Sequence, residues 1–185
     1  CRVEGLTAAP GPDEILRAVR EDIAAHAARI PEQRGLVGRL LNALESNRAV
    51  VADDHPGRPI HGACRIEQML VAGERIALID LDALALGDPL LDAAEFIASL
   101  QFLAWSGVCP GLDARAADRF RARYETQVPW SWDARRVAWY VLAFSASKIY
   151  AAVKHLDGAL LECLDREGGA FVDRWVGELE RGGGR

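Results

Sequence analysis

The stretch "MLVAGERIALID", residues 69–80, alternates apolar and polar residues with the period of two that a β-strand needs. It suits two short strands, 69–72 and 75–80, joined at Ala72-Gly73-Glu74. Most of the remaining chain repeats its apolar residues at helical spacing. That contrast limits the fold to an α+β class that is mostly helical and carries one small β-hairpin.

The helical pattern is readable piece by piece. Ile15, Leu16, Val19, Ile23, Ala27 and Ile30 form one stripe over residues 13–30, with Pro12 near the start. A second helix is predicted over 32–45, with Leu36, Leu40, Leu41 and Leu44 as its apolar face. "RAVVA" (48–52) reads as a short extended piece, and "DDHPGRP" (53–59) as a turn-forming loop. Asp88 is a good N-cap and Pro89 suits the first helical position, opening a long helix with Leu90, Leu91, Ala94, Ile97, Ala98 and Leu100 inward. "WSGVCPG" is a loop, after which Asp113 should cap a helix to about residue 124. Asp133 should cap the longest helix, to about 155, burying Val137, Trp139, Tyr140, Leu142, Phe144 and Ile149. Gly158 is expected to interrupt before a short segment over 160–164, followed by a last helix over 169–179 and a flexible tail, 181–185.

Composition narrows the function classes. A chain of 185 residues with half of them apolar fits one domain with a sizeable core. Its net charge of −5 gives no reason to expect nucleic acid or a membrane surface as partner. No charge-free run of about 18 apolar residues predicts a transmembrane helix, and the first ten residues lack the layout of a signal peptide. Cys1, Cys64, Cys109 and Cys163 are widely spaced with no CxxC pair, which points to a reducing compartment and a cytoplasmic protein. His61 and Cys64 lie three apart without further candidate ligands nearby, so no zinc-type site is read there. The chain begins with Cys1, as a fragment or a processed product would.

The chemistry is concentrated in an ordered set flanking the hairpin: His61, Gly62, Ala63, Arg65 and Gln68 before it, then Asp80, Asp82, Gly87, Asp88 and Asp92. The text runs "HGACRIEQML", "VAGERIAL", "IDLD", "GDPLLD". In motif order, spacing and intervening hairpin, this resembles the aminoglycoside phosphotransferase and choline kinase-like family of small-molecule kinases. That family's loop reads His-Gly-Asp-x-(His/Arg)-x-x-Asn, followed by an Ile-Asp turn and Gly-Asp-Pro-x-x-Asp.

The resemblance implies a protein-kinase-like fold, with residues 1–180 as its C-terminal, substrate-side lobe. It implies ATP and Mg2+ as cofactors, with Gln68 and Asp80 as metal ligands and Arg65 at the phosphates. Asp82 is either a second metal contact or a solvated turn residue. His61, Asp88 and Asp92 fall at positions that support the loop. Phosphoryl transfer needs these parts because positioning and charge neutralisation supply most of its catalysis.

Two residues depart from the pattern. Ala63 stands where the family has its catalytic Asp, and Gln68 where it has Asn. A general base contributes a factor of roughly 10²–10⁴, so the expected activity is weak or absent. Glu67 is read as a solvent-facing residue, not a replacement base. The family's β-rich N-terminal lobe, with its nucleotide-contacting Lys, is not read in the helical residues before His61, so a missing or separately encoded lobe is an expected partner. The acceptor would be a hydroxyl-bearing small molecule. The alternative is a pseudokinase-like module that binds a small molecule or partner without catalysis. Trp130, Trp132 and Trp139 are read as packing residues, and Asp113, Asp118, Glu125 and Asp133 as caps and solvated faces.

Overall fold

The computed structural model describes residues 5–51, 57–109, 111–112 and 115–181. Its body is helical: α1 (Pro12–Arg29), α2 (Arg34–Ser46), α3 (Pro89–Ser106), α4 (Ala116–Glu125), α5 (Ala134–Lys154) and α6 (Gly158–Arg181). Four short strands complete it: β1 (Arg58–Ile60), β2 (Met69–Ala72), β3 (Arg75–Leu78) and β4 (Ala85–Gly87). The α+β, mostly helical class is as expected from the sequence. No described helix is long and apolar enough to cross a membrane.

Helix α5 is the axis of the core and packs against α1, α2, α3 and α6. It starts where Asp133 accepts the backbone N–H groups of Arg135 and Arg136 at 3.1 and 3.0 Å, satisfying donors that the first helical turn leaves open. Its Val137, Ala138, Trp139, Val141 and Leu142 are fully buried. Trp139 Nε1 donates to the carbonyl of Leu44 on α2 at 2.9 Å, so the largest core side chain also pays its polar debt. Phe144, expected inside, is only half-buried.

Several expectations need correction. "RAVVA" is a 3-10 turn over Arg48–Val50, not an extended piece, because Val50 and Val51 donate back to Asn47 and Arg48. The second strand of the hairpin ends at Leu78. The C-terminal region is one unbroken helix, α6, which is longer than α5 and reaches Arg181. Gly158 is its first residue, and Gly168 lies in its middle because a Cβ there would come within 2.8 Å of Leu36 on α2. The glycine marks a close helix–helix approach that sequence alone reads as a break. The Asp113 cap and residues 182–185 of the tail lie outside the described residues.

The hairpin is also joined by a second small sheet. β1 pairs antiparallel with β4 in the register Arg58↔Gly87, Pro59↔Leu86, Ile60↔Ala85. Ala9 N–H donates to Leu86 O at 2.8 Å and fastens the N-terminal segment along the same edge. This pairing clamps both ends of residues 61–84 at the helical body. Everything between, loop and hairpin alike, is an excursion from that clamp.

Candidate functional site

The first half of the excursion is tied to α3. Asp92, one turn into α3, accepts the His61 N–H with Oδ2 at 2.7 Å and the Gly62 N–H with Oδ1 at 2.9 Å. Burial raises the Asp92 carboxyl above the ordinary carboxylate range, while those two backbone bonds oppose the shift. His61 is buried, and its Nε2 donates to the Ile79 carbonyl at 3.0 Å. One loop residue thus holds the far end of the hairpin. Gly62 has φ +75°, and a Cβ there would run into the Ala83 carbonyl oxygen, so the loop turns where only glycine fits. Asp88 caps α3 through Leu90 N–H at 3.0 Å and takes Arg136 Nη1 at 3.3 Å.

The second half brings Gln68 to Asp80. Gln68 lies in a 3-10 turn (Ile66–Gln68) that leads directly into β2, and its side chain is buried. Its Nε2 donates to Asp80 Oδ2 at 2.8 Å, and its carbonyl accepts the Ile79 N–H at 3.0 Å. Asp80 is exposed and left-handed, with φ 60° and ψ 59°, a conformation Asp tolerates better than most residues. Asp82 is exposed on the following 3-10 turn, Leu81–Ala83, and no described hydrogen bond or ion pair joins it to Gln68 or Asp80.

Ala63, in the first half, is half-buried. Arg65 Nε lies 4.0 Å from Oε1 of Glu95, a residue on α3 whose side chain is about 10% exposed. Burial raises the Glu95 carboxyl, with Lys148 and Arg65 pulling the other way. Cys64, beside them, has its thiol pushed up to about 12 by burial and by the carboxylates of Asp92 and Glu95. Glu67 is exposed, yet Oε2 accepts the Ser99 hydroxyl at 3.2 Å.

Glu95, Lys148 and Ser99 escaped the sequence reading. Glu95 and Ser99 share the loop-facing side of α3 with Asp92, at spacings of three and seven residues, but nothing in the sequence says that this face meets the loop. Lys148 comes from α5, more than fifty residues further on, and carries no local signal at all.

With that geometry established, the family comparison is decisive. The model of the phosphotransferase enzyme family matches residues 4–140. The chain belongs to the phosphotransferase enzyme family. No curated protein and no solved structure matches it. The family match runs through α1 and α2 as well as the 60–92 motif, so the helices before His61 are part of what this chain shares with its family.

Members of the family generally use ATP and Mg2+. The residues at the Gln68–Asp80 corner fit such an ion. They offer hard oxygen donors, the Asp80 carboxylate at an exposed turn and the carboxamide of buried Gln68, whose Nε2 faces that carboxylate here and whose oxygen would turn to the ion. Magnesium keeps much of its shell as water and phosphate and needs only one or two protein carboxylates. The described residues contain no group of three His, Cys, Asp or Glu side chains able to hold a metal unaided.

Among the described residues, the tryptophans and acids read as structural have structural partners. Trp130 and Trp132 pack beside Tyr124 at ring-centroid distances of 6.2 and 5.9 Å. Asp118 pairs with Arg174 at 2.7 Å, and Glu125 with Arg121 at 2.8 Å.

Proposed function

We propose that this chain is the substrate-side lobe of an ATP-dependent small-molecule phosphotransferase, slow or inactive as it stands. The supporting observation is the Gln68–Asp80 contact at 2.8 Å across the base of the hairpin, beside a loop held by Asp92. In this reading magnesium supplies charge neutralisation at the phosphates when bound. Gln68 and Asp80 hold it, with Asp82 able to swing in from the next turn. Arg65 faces the transferred phosphoryl group. His61, Asp88 and Asp92 keep the loop in register. Ala63 leaves the acceptor hydroxyl without its usual proton acceptor, and no step here supplies another.

The exposed hairpin supports a covering partner. Leu70, Val71, Ile76 and Leu78 are 56, 69, 67 and 48% exposed, a density of apolar surface that solvent-facing hairpins rarely carry. A nucleotide-covering lobe, on another segment or another chain, would bury it. The same surface also serves the second reading, a pseudokinase-like module, which Ala63 favours.

The test is magnesium-ATP binding by calorimetry, comparing the natural chain with Asp80→Ala. Binding should be lost in the variant; binding that is detected and unaffected removes the proposed metal role. Turnover then separates the two readings. Ala63→Asp should raise ATP consumption about 10²–10⁴-fold if the missing base is what limits an enzyme. No gain with binding intact favours the non-catalytic module.

A further inference from the structure

Between the loop and helices α3 and α5, at the start of α6, lies a cavity of about 220 Å³. Glu67, Ser99, Phe102, Lys148, His155 and Leu160 are among its walls. It is smaller than the roughly 300–1,000 Å³ of pockets that take drug-sized ligands, so its occupant is small. Glu67, in the loop's own 3-10 turn, forms part of one wall and is the residue before Gln68, so the cavity adjoins the loop.

Its charges are not equally engaged. Glu67 Oε2 accepts the Ser99 hydroxyl at 3.2 Å. Asp157, at the rim, spends Oδ1 on the Leu160 N–H at 3.0 Å, where α6 begins. Glu95, close behind, lies against Arg65. Lys148 differs: it is half-buried, and among the described residues it makes no hydrogen bond and no ion pair. Burial lowers its ammonium below the ordinary lysine range, outweighing the pull of Glu95 and Glu67. Holding a cation half out of water without a contact partner is costly. The cost is offset if a ligand provides the partner. Phe102 and Leu160 line the cavity with apolar surface, which would strengthen that contact by excluding water.

We propose that this cavity is the acceptor subsite and that the acceptor is a small hydroxylated carboxylic acid, with its carboxylate on Lys148 and its hydroxyl toward the loop. The assignment rests on the phosphotransferase reading for the word acceptor, but binding of the acid does not. His155, exposed, lines the same cavity.

The chain contains only two lysines, Lys148 and Lys154, and Lys154 is exposed. Protein labelled with [13C]lysine therefore reports the site directly, in the full chain and without nucleotide. Titration with D-glycerate or L-homoserine should shift the Lys148 side-chain signals saturably and leave Lys154 in place. Glycerol and choline, which lack the carboxylate, should do neither. Lys148→Gln should weaken binding of the same acids at least tenfold by calorimetry. Should that variant fail to fold, the titration of the natural protein still decides. A Lys148 signal that ignores both acids, or that moves as far with glycerol or choline, overturns the proposal. Failure of the magnesium-ATP test with a responsive Lys148 would remove the kinase reading and leave the acid site. Dependence of ATP binding on Asp80 with an unresponsive Lys148 would remove the acid site alone.

Discussion

The two halves of the excursion between β1 and β4 are built differently. From His61 to Arg65 the backbone is held from within: half-buried Asp92 accepts two loop N–H groups, and His61 is inside the protein. From Met69 to Asp82 the chain is almost wholly exposed, and the contacts at its base come from His61 and Gln68. The difference separates scaffold from working surface. The buried half sets where the loop lies; the exposed half leaves oxygens and apolar side chains for something else to meet.

Substitutions should respect that division. The largest effect is expected at Gly62, where alanine would have to take a left-handed φ and displace the Ala83 carbonyl. Gly62→Ala should cost about 4 kcal/mol, a drop of roughly 8–16 °C in melting temperature for a chain of this size. A melting point within about 2 °C of the natural protein would break the claim that the first half is rigid scaffold.

Next is Asp92→Ala, which strands two partly buried N–H donors and should cost about 2 kcal/mol in chemical denaturation. A loss under about 0.5 kcal/mol would mean that water replaces the carboxylate and that the loop is not held by α3.

A smaller effect follows pH. Glu95 has its folded pKa raised above the unfolded value, so its contribution is fully present below about pH 4.5 and lost as pH rises through the raised value. Relative to Glu95→Gln, the natural protein should therefore gain stability as pH falls from 7 toward 4.5. A flat difference across that range would place Glu95 in a wetter setting than its burial indicates.

The smallest effect on stability belongs to the exposed half. Asp80→Gly relieves a left-handed residue at the price of chain entropy, and should leave stability within about 1 kcal/mol while abolishing magnesium-ATP binding. A large destabilisation would show that the Gln68–Asp80 contact is scaffold after all, and the comparison between the halves would dissolve.

Local signals in the sequence were reliable where the physics is local. Asp88 and Asp133 cap helices because a carboxylate beside two open N–H groups needs no distant partner. The hairpin was legible because period-two alternation and a Gly at the turn are properties of neighbouring residues. Gly168 was not legible for the same reason: its meaning depends on Leu36, more than a hundred residues away. The β1–β4 clamp was equally invisible, being three residue pairs contributed by segments that say nothing individually about one another.

The sequence by itself determined the helical class and the ordered motif from His61 to Asp92. It also carries the loss at Ala63, since one residue type in one register is a chemical fact before any folding. Only the tertiary structure decided that Gln68 meets Asp80 and that Glu95 lies under Arg65. It alone sets Lys148 of α5 into a small cavity against the loop. Such meetings follow from how helices pack, and packing is set by the shapes of buried surfaces over the whole core, which no short stretch encodes.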